Sequence, residues 1–298
     1  RMDSHAPVLL DEVLTLLNPA GDDWIVDCTL GLGGHSQAML EAAGADAHLI
    51  GLDTDEANVL RAKDNLGPLA KQGRFFHANF SSLPDVLEAI DRPAVDVILA
   101  DLGFCSNQMD TPERGLSFQA DGPLDMRLDT SEGPTAADIV NTTDETDLAN
   151  LIYEFGEERL SRRIARRIVE ARADGAIETT AALAEIVRKA YPPAVRHKSR
   201  IDPATRTFQA LRIAVNDELG VLDELLAMLP EILAPGGRCG IISFHSLEDR
   251  RVKHRFRDLR ETHQVELLTK KPIIATPEEI ERNPRSRSAK LRGIQKRD

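Results

Sequence analysis

Aromatic side chains are scarce in this chain: 1 Trp, 2 Tyr and 9 Phe among 298 residues. No aromatic stacking signature of a single-stranded RNA platform can be found among them. The 3 cysteines, Cys28, Cys105 and Cys239, are widely spaced and outside any CxxC pair. That excludes a disulfide framework and gives no zinc site or zinc knuckle, so buried, reduced thiols are expected. The 8 histidines show no metal spacing, and no metal is expected in catalysis. Long apolar runs are absent as well: none approaches the roughly 18 residues of a membrane span, and the first residues lack the basic-then-apolar pattern of a secretory signal. A cytoplasmic protein without membrane contact is the expectation.

Acidic residues outnumber basic ones, 49 to 37, for a net charge of −12. The excess is uneven. Residues 1–158 carry 8 Lys/Arg against 30 Asp/Glu, residues 159–206 carry 12 against 5, and residues 207–298 carry 17 against 14. Asymmetry of this size focuses a polyanion onto one part of an otherwise acidic molecule. With 42 % apolar and 29 % charged residues, the chain has the composition of a soluble globular protein, one large domain or two smaller ones.

The most informative stretch runs from Trp24 to Asp53. Trp24 to Asp27 reads as a short buried strand, Gly31-Leu32-Gly33-Gly34-His35 turns the chain into a helix near Ser36, and His48 to Leu52 forms a second strand ending in Asp53. Glycines at such a turn let backbone N–H groups approach a ligand, and a carboxylate ending the next strand accepts hydrogen bonds from both ribose hydroxyls. The dinucleotide fingerprint requires a third glycine where this chain has Ser36. S-adenosylmethionine, which has no phosphate, suits the turn better, with Asp27 placed for its methionine amine.

Further strands are expected at Arg74 to His77, Val95 to Ala100 and Arg238 to Phe244, mostly apolar without alternation, as in parallel strands covered on both faces. Helical patterns at Val8 to Leu17, Ser36 to Ala43, Glu56 to Leu66 and Leu83 to Ile90 fill the gaps, giving a doubly wound α/β sheet. After Asp101 the rhythm breaks. Residues 103–134 are rich in Gly, Asp and Pro, and from Thr135 to about Tyr191 every pattern is helical. The sheet resumes with a helix Ala210 to Leu229, the turn Pro235-Gly236-Gly237 and the fifth strand. Val265 to Leu268 and Ala289 to Gln295 are read as a terminal hairpin.

Ligands of open α/β sheets sit outside the carboxyl ends of the strands. The loop after Asp27, Asp53, Asn79-Phe80, Asp101 and Ser243-Phe244-His245-Ser246 therefore converge. Phe80 is either an adenine contact or a core aromatic. Asp101 stands where amino-group methyltransferases carry an acidic or amide residue; it is read as the acceptor that draws on an exocyclic N–H, or as a cofactor contact or loop cap. His245 either supports the site or positions a flipped base. On a helix from Glu157, Arg162, Arg163, Arg166 and Arg167 lie opposite Leu160, Ile164 and Ile168: a solvated face or an RNA contact. Arg196 to Arg200 and the C-terminal Arg285, Arg287, Lys290 and Arg292 tilt the choice toward phosphate.

Asp27-Cys28-Thr29-Leu30-Gly31-Leu32-Gly33-Gly34-His35-Ser36, Asp101-Leu102-Gly103, Arg114 to Phe118, Asp121 to Arg127, Gly156 to Arg159, Pro203 to Arg212 and Ser243 to Arg250 resemble, in this order, the bacterial small-subunit ribosomal RNA cytosine-N4 methyltransferases, the MraW/RsmH family. The resemblance runs from His5 to Arg292. It implies a class I S-adenosylmethionine-dependent methyltransferase fold, Rossmann-like, with a methyltransferase domain of residues 1–110 and 206–298. A helical domain of residues 135–201 is inserted and reached through a connecting loop, 111–134. It further implies N4 methylation of a cytosine in the decoding centre of 16S ribosomal RNA, in the small ribosomal subunit or its precursor, and leaves a homodimer open. By motif, S-adenosylmethionine falls on Gly33, Gly34, His35, Asp53, Phe80, Asp101 and Gln108, with Asp101 and His245 in catalysis. The family usually has Val-Ser-Ser after Asp-Leu-Gly, whereas this chain has Phe104-Cys105-Ser106, with Asn107 where proline is common. A differently shaped loop is expected there, and Gln108 follows less directly than Asp53.

Overall fold

A computed structural model describes residues 6–193 and 201–298. Its chain divides into two compact units, residues 1–103 with 219–298, and residues 104–218. The basic stretch Arg196 to Arg200 lies outside the described residues.

The first unit is a seven-stranded sheet. Strands β1 (Trp24–Asp27), β2 (His48–Asp53), β3 (Gly73–His77), β4 (Val95–Asp101), β5 (Leu233–Ser243), β6 (Val265–Leu267) and β7 (Lys290–Lys296) lie in the order β3-β2-β1-β4-β5-β7-β6. The first five are parallel; β7 runs antiparallel between β5 and β6. Apolar runs such as Ile98-Leu99-Ala100 are buried because helices cover both faces, and two apolar clusters fill the layers. Helices α1 (Leu10–Leu17), α2 (Gly34–Ala43), α3 (Glu56–Leu66) and α4 (Leu83–Ala89) precede β4. Helix α3 starts where the Asp55 side chain accepts the Ala57 N–H, the polar cap such a terminus requires.

The second unit is helical: α5 (Ser106–Met109), α6 (Ala136–Thr142), α7 (Glu145–Gly156), α8 (Ser161–Asp174), α9 (Thr180–Ala190) and α10 (Ala204–Asn216). Leu148, Ile152, Ile164, Ile168, Leu183, Val187 and Leu211 form its core. The chain then returns to the sheet unit through α11 (Glu218–Ile232), α12 (Ser246–Glu261) and α13 (Pro277–Arg282).

Several sequence boundaries move. The insert is wider than 135–201: Leu116, Leu124 and Met126 of the expected connecting loop are buried in the helical core, and so are Ala204, Phe208 and Leu211. Short apolar residues spaced by Gly and Pro gave no period to reveal that burial. The expected helix Ala210 to Leu229 is two helices, broken where Asp217 adopts φ 46°. Likewise α7 stops at Glu157, φ 48°, and α8 begins only at Ser161, after Glu158 turns its carboxylate back onto the Leu160 N–H. Strand β5 starts at Leu233 rather than Arg238: Leu233 pairs with Val95 and Arg238 with Val97. The Pro235-Gly236-Gly237 turn is a bulge inside the strand, with Gly236 at φ 73°.

Gly115 shows how tightly the 112–126 segment is folded. Its φ is 67°, and a Cβ there would lie 2.2 Å from the Pro123 carbonyl oxygen and 2.7 Å from the Asp125 nitrogen. Both neighbours are backbone and cannot rotate away. Gly115→Ala is therefore expected to destabilise the helical unit by about 3 kcal/mol, the combined scale of backbone strain and forced displacement. Urea unfolding followed by far-ultraviolet circular dichroism checks this; a loss below about 1 kcal/mol would show the segment to be adaptable.

Candidate functional site

Because β1 to β5 are parallel, the loops after their carboxyl ends share one edge of the first unit. That edge carries Asp27, Asp53, Asn79-Phe80, Asp101 and Phe244-His245. Gly31 and Gly33 take φ 53° and 84°, and Gly33 is the N-cap of α2. The left-handed region is open to glycine without the Cβ penalty, which lets the backbone turn from β1, ending at Asp27, into α2, beginning at Gly34. Gly34 is held differently: a Cβ would fall 2.6 Å from Pro7 Cγ, so the N-terminal segment packs on it.

Asp27 does not face an open amide pocket. It is 1 % exposed; Oδ1 accepts the Thr29 N–H (3.1 Å) and Oδ2 the Ser36 hydroxyl (2.6 Å). Ser36, the residue that departs from the dinucleotide fingerprint, thus locks the acid to its own helix. Burial pushes the Asp27 carboxyl up to about 6, against the pull of its hydrogen bonds with Ser36 and Thr29.

Asp53 is likewise buried. Its Oδ2 accepts the Gly31 N–H (2.7 Å) and its Oδ1 the Asp55 N–H (2.9 Å) and the Asn58 amide (3.3 Å). Burial raises this carboxyl to about 6, and the bonds from Asp55, Gly31 and Asn58 oppose the rise. A single carboxylate therefore fixes the glycine turn and the start of α3, and Oδ2, which takes one of these bonds, keeps a second lone pair for a hydroxyl. Phe80 follows β3 in a short 3₁₀ turn and packs against the core while half-buried, a place consistent with either sequence reading.

Asp101 ends β4. Its N–H donates to Thr29 Oγ1 (2.7 Å), its Oδ2 stands 3.7 Å from His35 Nδ1, and its buried Oδ1 has no hydrogen-bond partner among the described residues. Burial raises the carboxyl to about 6; His35 lowers it, and Asp27 and Glu248 raise it further. The His35 ring meets the Val8 carbonyl at Nε2 (2.9 Å). A carbonyl only accepts, so Nε2 carries hydrogen and Nδ1 faces Asp101 as acceptor in the neutral ring.

His245 is the N-cap of α12. Its Nδ1 accepts the Glu248 N–H (3.4 Å), while Glu248 Oε2 accepts the backbone N–H groups of Phe244 (2.8 Å) and His245 (3.3 Å). This is a capping box with histidine in the serine position, and it assigns the ring a supporting task in its own helix. Gln108 belongs to the second unit, buried, with its Oε1 accepting the Cys105 N–H (2.9 Å). Arg162, Arg163, Arg166 and Arg167 are exposed on α8 of that unit. Arg166 and Arg167 lean on Glu145 (3.6 Å) and Glu170 (3.3 Å); Arg162 and Arg163 have no ion pair among the described residues.

The structure thus brings together Gly33, Gly34, His35, Asp53, Phe80, Asp101 and His245 on one edge of the first unit, with Gln108 and the four arginines in the second. Thr29, Ser36 and Glu248 went unread in the sequence. Their signals were local: polar residues within reach of Asp27 at the turn, and the His245-x-x-Glu248 spacing of a capping box.

A sheet of this order with one antiparallel strand beside β5, a glycine turn after β1 and an acid closing β2 define a class I, Rossmann-like methyltransferase. The chain belongs to the MraW methylase family, whose model matches residues 2–297. Relatives called ribosomal RNA small subunit methyltransferase H are similar throughout. The protein of Nitratidesulfovibrio vulgaris is 47 % identical over 308 residues, covering 98 % of this chain and 95 % of its own. That of Sorangium cellulosum is 48 % identical over 296 residues, covering 99 % and 92 %. That of a Nostoc species is 50 % identical over 297 residues, covering 98 % and 93 %.

The raised Asp27 carboxyl has a measurable consequence. A folded value above the ordinary 3.8 contributes stability that is full below about pH 3.8 and lost as pH rises through about 6. In Asp27→Asn the amide oxygen still accepts from Thr29, and the Ser36 hydroxyl rotates to accept from the amide nitrogen. The variant should therefore be less stable than the parent by a margin about 1–1.5 kcal/mol smaller at pH 7.5 than at pH 5. Urea titrations at both pH values test it; equal margins would mean that Asp27 holds the same charge throughout.

Proposed function

We propose that this chain methylates the exocyclic N4 amine of a cytosine in the decoding centre of 16S ribosomal RNA, using S-adenosylmethionine, within the small ribosomal subunit or its precursor in the cytoplasm. The observation that carries this reading is Asp101 Oδ1, a buried carboxylate oxygen without a partner at the strand end of a methylase-family chain. The glycine turn and Asp53 fit a nucleoside: the turn brings backbone close, and Asp53 offers a lone pair to a ribose hydroxyl. S-adenosylmethionine, when bound, supplies an electrophilic methyl group.

The remaining steps fall to the chain. The N4 lone pair of cytosine is delocalised into its ring, so the amine attacks poorly. Asp101 accepts an N–H hydrogen bond, which localises the lone pair, and receives the proton that the amine must shed. His35 Nδ1 lies 3.7 Å from the other oxygen, and Thr29 holds the Asp101 backbone in place. His245 fixes the loop after β5, and the exposed arginines of α8 neutralise RNA phosphates, chiefly Arg162 and Arg163.

Calorimetry should find S-adenosylmethionine binding and no NAD binding, with Asp53→Ala weakening the former by about 1.5–3 kcal/mol. Asp101→Asn keeps an acceptor oxygen without the charge, and its kcat should fall about 10²-fold while cofactor affinity changes little. Since Asp101 is protonated below about pH 6, the parent kcat should climb through that pH and level off above it. A near-normal rate at saturation with collapsed cofactor affinity would make Asp101 a cofactor ligand only. Mass spectrometry of 16S rRNA from a deletion strain, before and after treatment with the enzyme, identifies the methylated base; a product other than N4-methylcytosine would overturn the assignment.

A further inference from the structure

A cleft of about 380 Å³ opens in the first unit where the start of α12 meets the arm that carries residues 274–290. Phe244, His245 and Ser246 line it together with Arg287 and Lys290, and Ile274, 63 % exposed, adds an apolar side chain. No carboxylate lines it among the described residues. In a chain with 49 acidic side chains against 37 basic ones, that is a selective arrangement. Lys290 lies 3.6 Å from Asp249, but Asp249 is already paired with Arg292 at 2.7 Å. Arg287 is exposed and has no ion pair among the described residues. At the wall, His245 has a side chain only 9 % exposed, and its Nε2 makes no hydrogen bond, though it stands 3.2 Å from Glu248 Oε1.

The cleft does not end at its rim. On α12, Arg250, Lys253 and Arg257 follow Ser246 at intervals of four, three and four residues, which places them on one helical face. All three are exposed. A single phosphate needs one such cation cluster, whereas a row leading away from it matches a polyanion of repeating charge. Elsewhere on the helix Arg251 binds Asp223 and Arg255 the Leu226 carbonyl; in the row itself Arg257 lies 3.7 Å from Asp258 and from Glu261 at the solvent surface, where such pairs are weak and exchange readily for a phosphate.

We propose that this cleft and the α12 face form a binding track for the single-stranded RNA backbone beside the target base, with a phosphodiester at Arg287 and Lys290, the sugar edge against Ile274, and the next phosphates along Arg250, Lys253 and Arg257. The proposal rests on the RNA reading above and names a surface in the sheet unit, separate from the arginines of α8. Its place fits the chemistry, because His245 belongs both to this cleft and to the edge that carries Asp101.

The test uses the full chain and a fluorescein-labelled single-stranded RNA oligonucleotide of decoding-centre sequence. Arg287→Gln and Lys253→Gln, singly and together, alter exposed side chains and leave the core untouched. Fluorescence anisotropy from about 50 to 200 mM salt should show each substitution flattening the slope of log affinity against log salt by about 0.7. Affinity should fall about 3- to 10-fold per site, and the KM for RNA should rise more than kcat falls. Unchanged slopes in both variants, with a parent that methylates the RNA, would overturn the track and leave the proposed reaction standing. RNA held through Arg287 and Lys253 but methylated by no form of the enzyme would overturn the reaction and leave the track. An effect of Arg287→Gln alone, matched by competition from inorganic phosphate, would reduce the cleft to a free-phosphate site and overturn the proposal.

Discussion

The site depends on how the turn after β1 is stitched to its neighbours. Cys28 N–H reaches the Leu99 carbonyl of β4 and Leu30 N–H the Leu52 carbonyl of β2. Asp53 holds Gly31, Thr29 holds the Asp101 backbone, and Ser36 holds Asp27. Three strand ends are thereby fixed to the one loop between β1 and α2. These bonds lie in a water-poor setting, where a donor left without an acceptor costs about 1–3 kcal/mol, so the loop has one arrangement rather than several. Glycine at 31 and 33 makes the arrangement sterically accessible; the carboxylates make it unique.

The same economy explains why three acids at one sheet edge share raised carboxyl values near 6. Asp27 and Asp53 are buried, and Asp101, half-buried, has its Oδ1 enclosed. In Asp27 and Asp53 both oxygens already accept at least one hydrogen bond from the protein. Asp101 differs by keeping an oxygen unspent, and that difference separates a scaffold acid from one placed to act on something else.

Much of this was legible in the sequence, and the reasons differ by element. The strands announced themselves through unbroken apolar runs, and the glycine turn and Asp53 were legible as neighbours at the carboxyl ends of the strands. The helical insert was visible as a change of period after Asp101. Its limits were not, because Leu116, Leu124 and Met126 are buried singly in irregular backbone, and Asp217 and Glu157 break helices through a left-handed conformation that no residue type there advertises. The partners of Asp27 were not legible for a similar reason: an acid after a strand looks unoccupied until Thr29 and Ser36 are seen to bond one oxygen each. The basic row on α12 escaped notice because acids flank it in sequence, Glu248 and Asp249 before it and Asp258 and Glu261 after it, and only the helical period sets Arg250, Lys253 and Arg257 on one face.

The insertion of the helical unit between β4 and β5 has a consequence for biosynthesis. Asp101 ends β4 and Leu233 begins β5, so about 130 residues separate neighbours that pair in register. At a ribosomal rate of roughly 5–20 residues per second, β4 waits on the order of ten seconds with one edge of its ladder open. An apolar strand with unpaired N–H and C=O groups is a template for pairing with another chain. The helical unit is complete in sequence before β5 emerges, and its contacts are local enough to form early. The nascent chain therefore passes through a stage in which a folded helical body is tethered to a half-sheet, and the yield of native protein is set by how that open edge is shielded until β5 arrives.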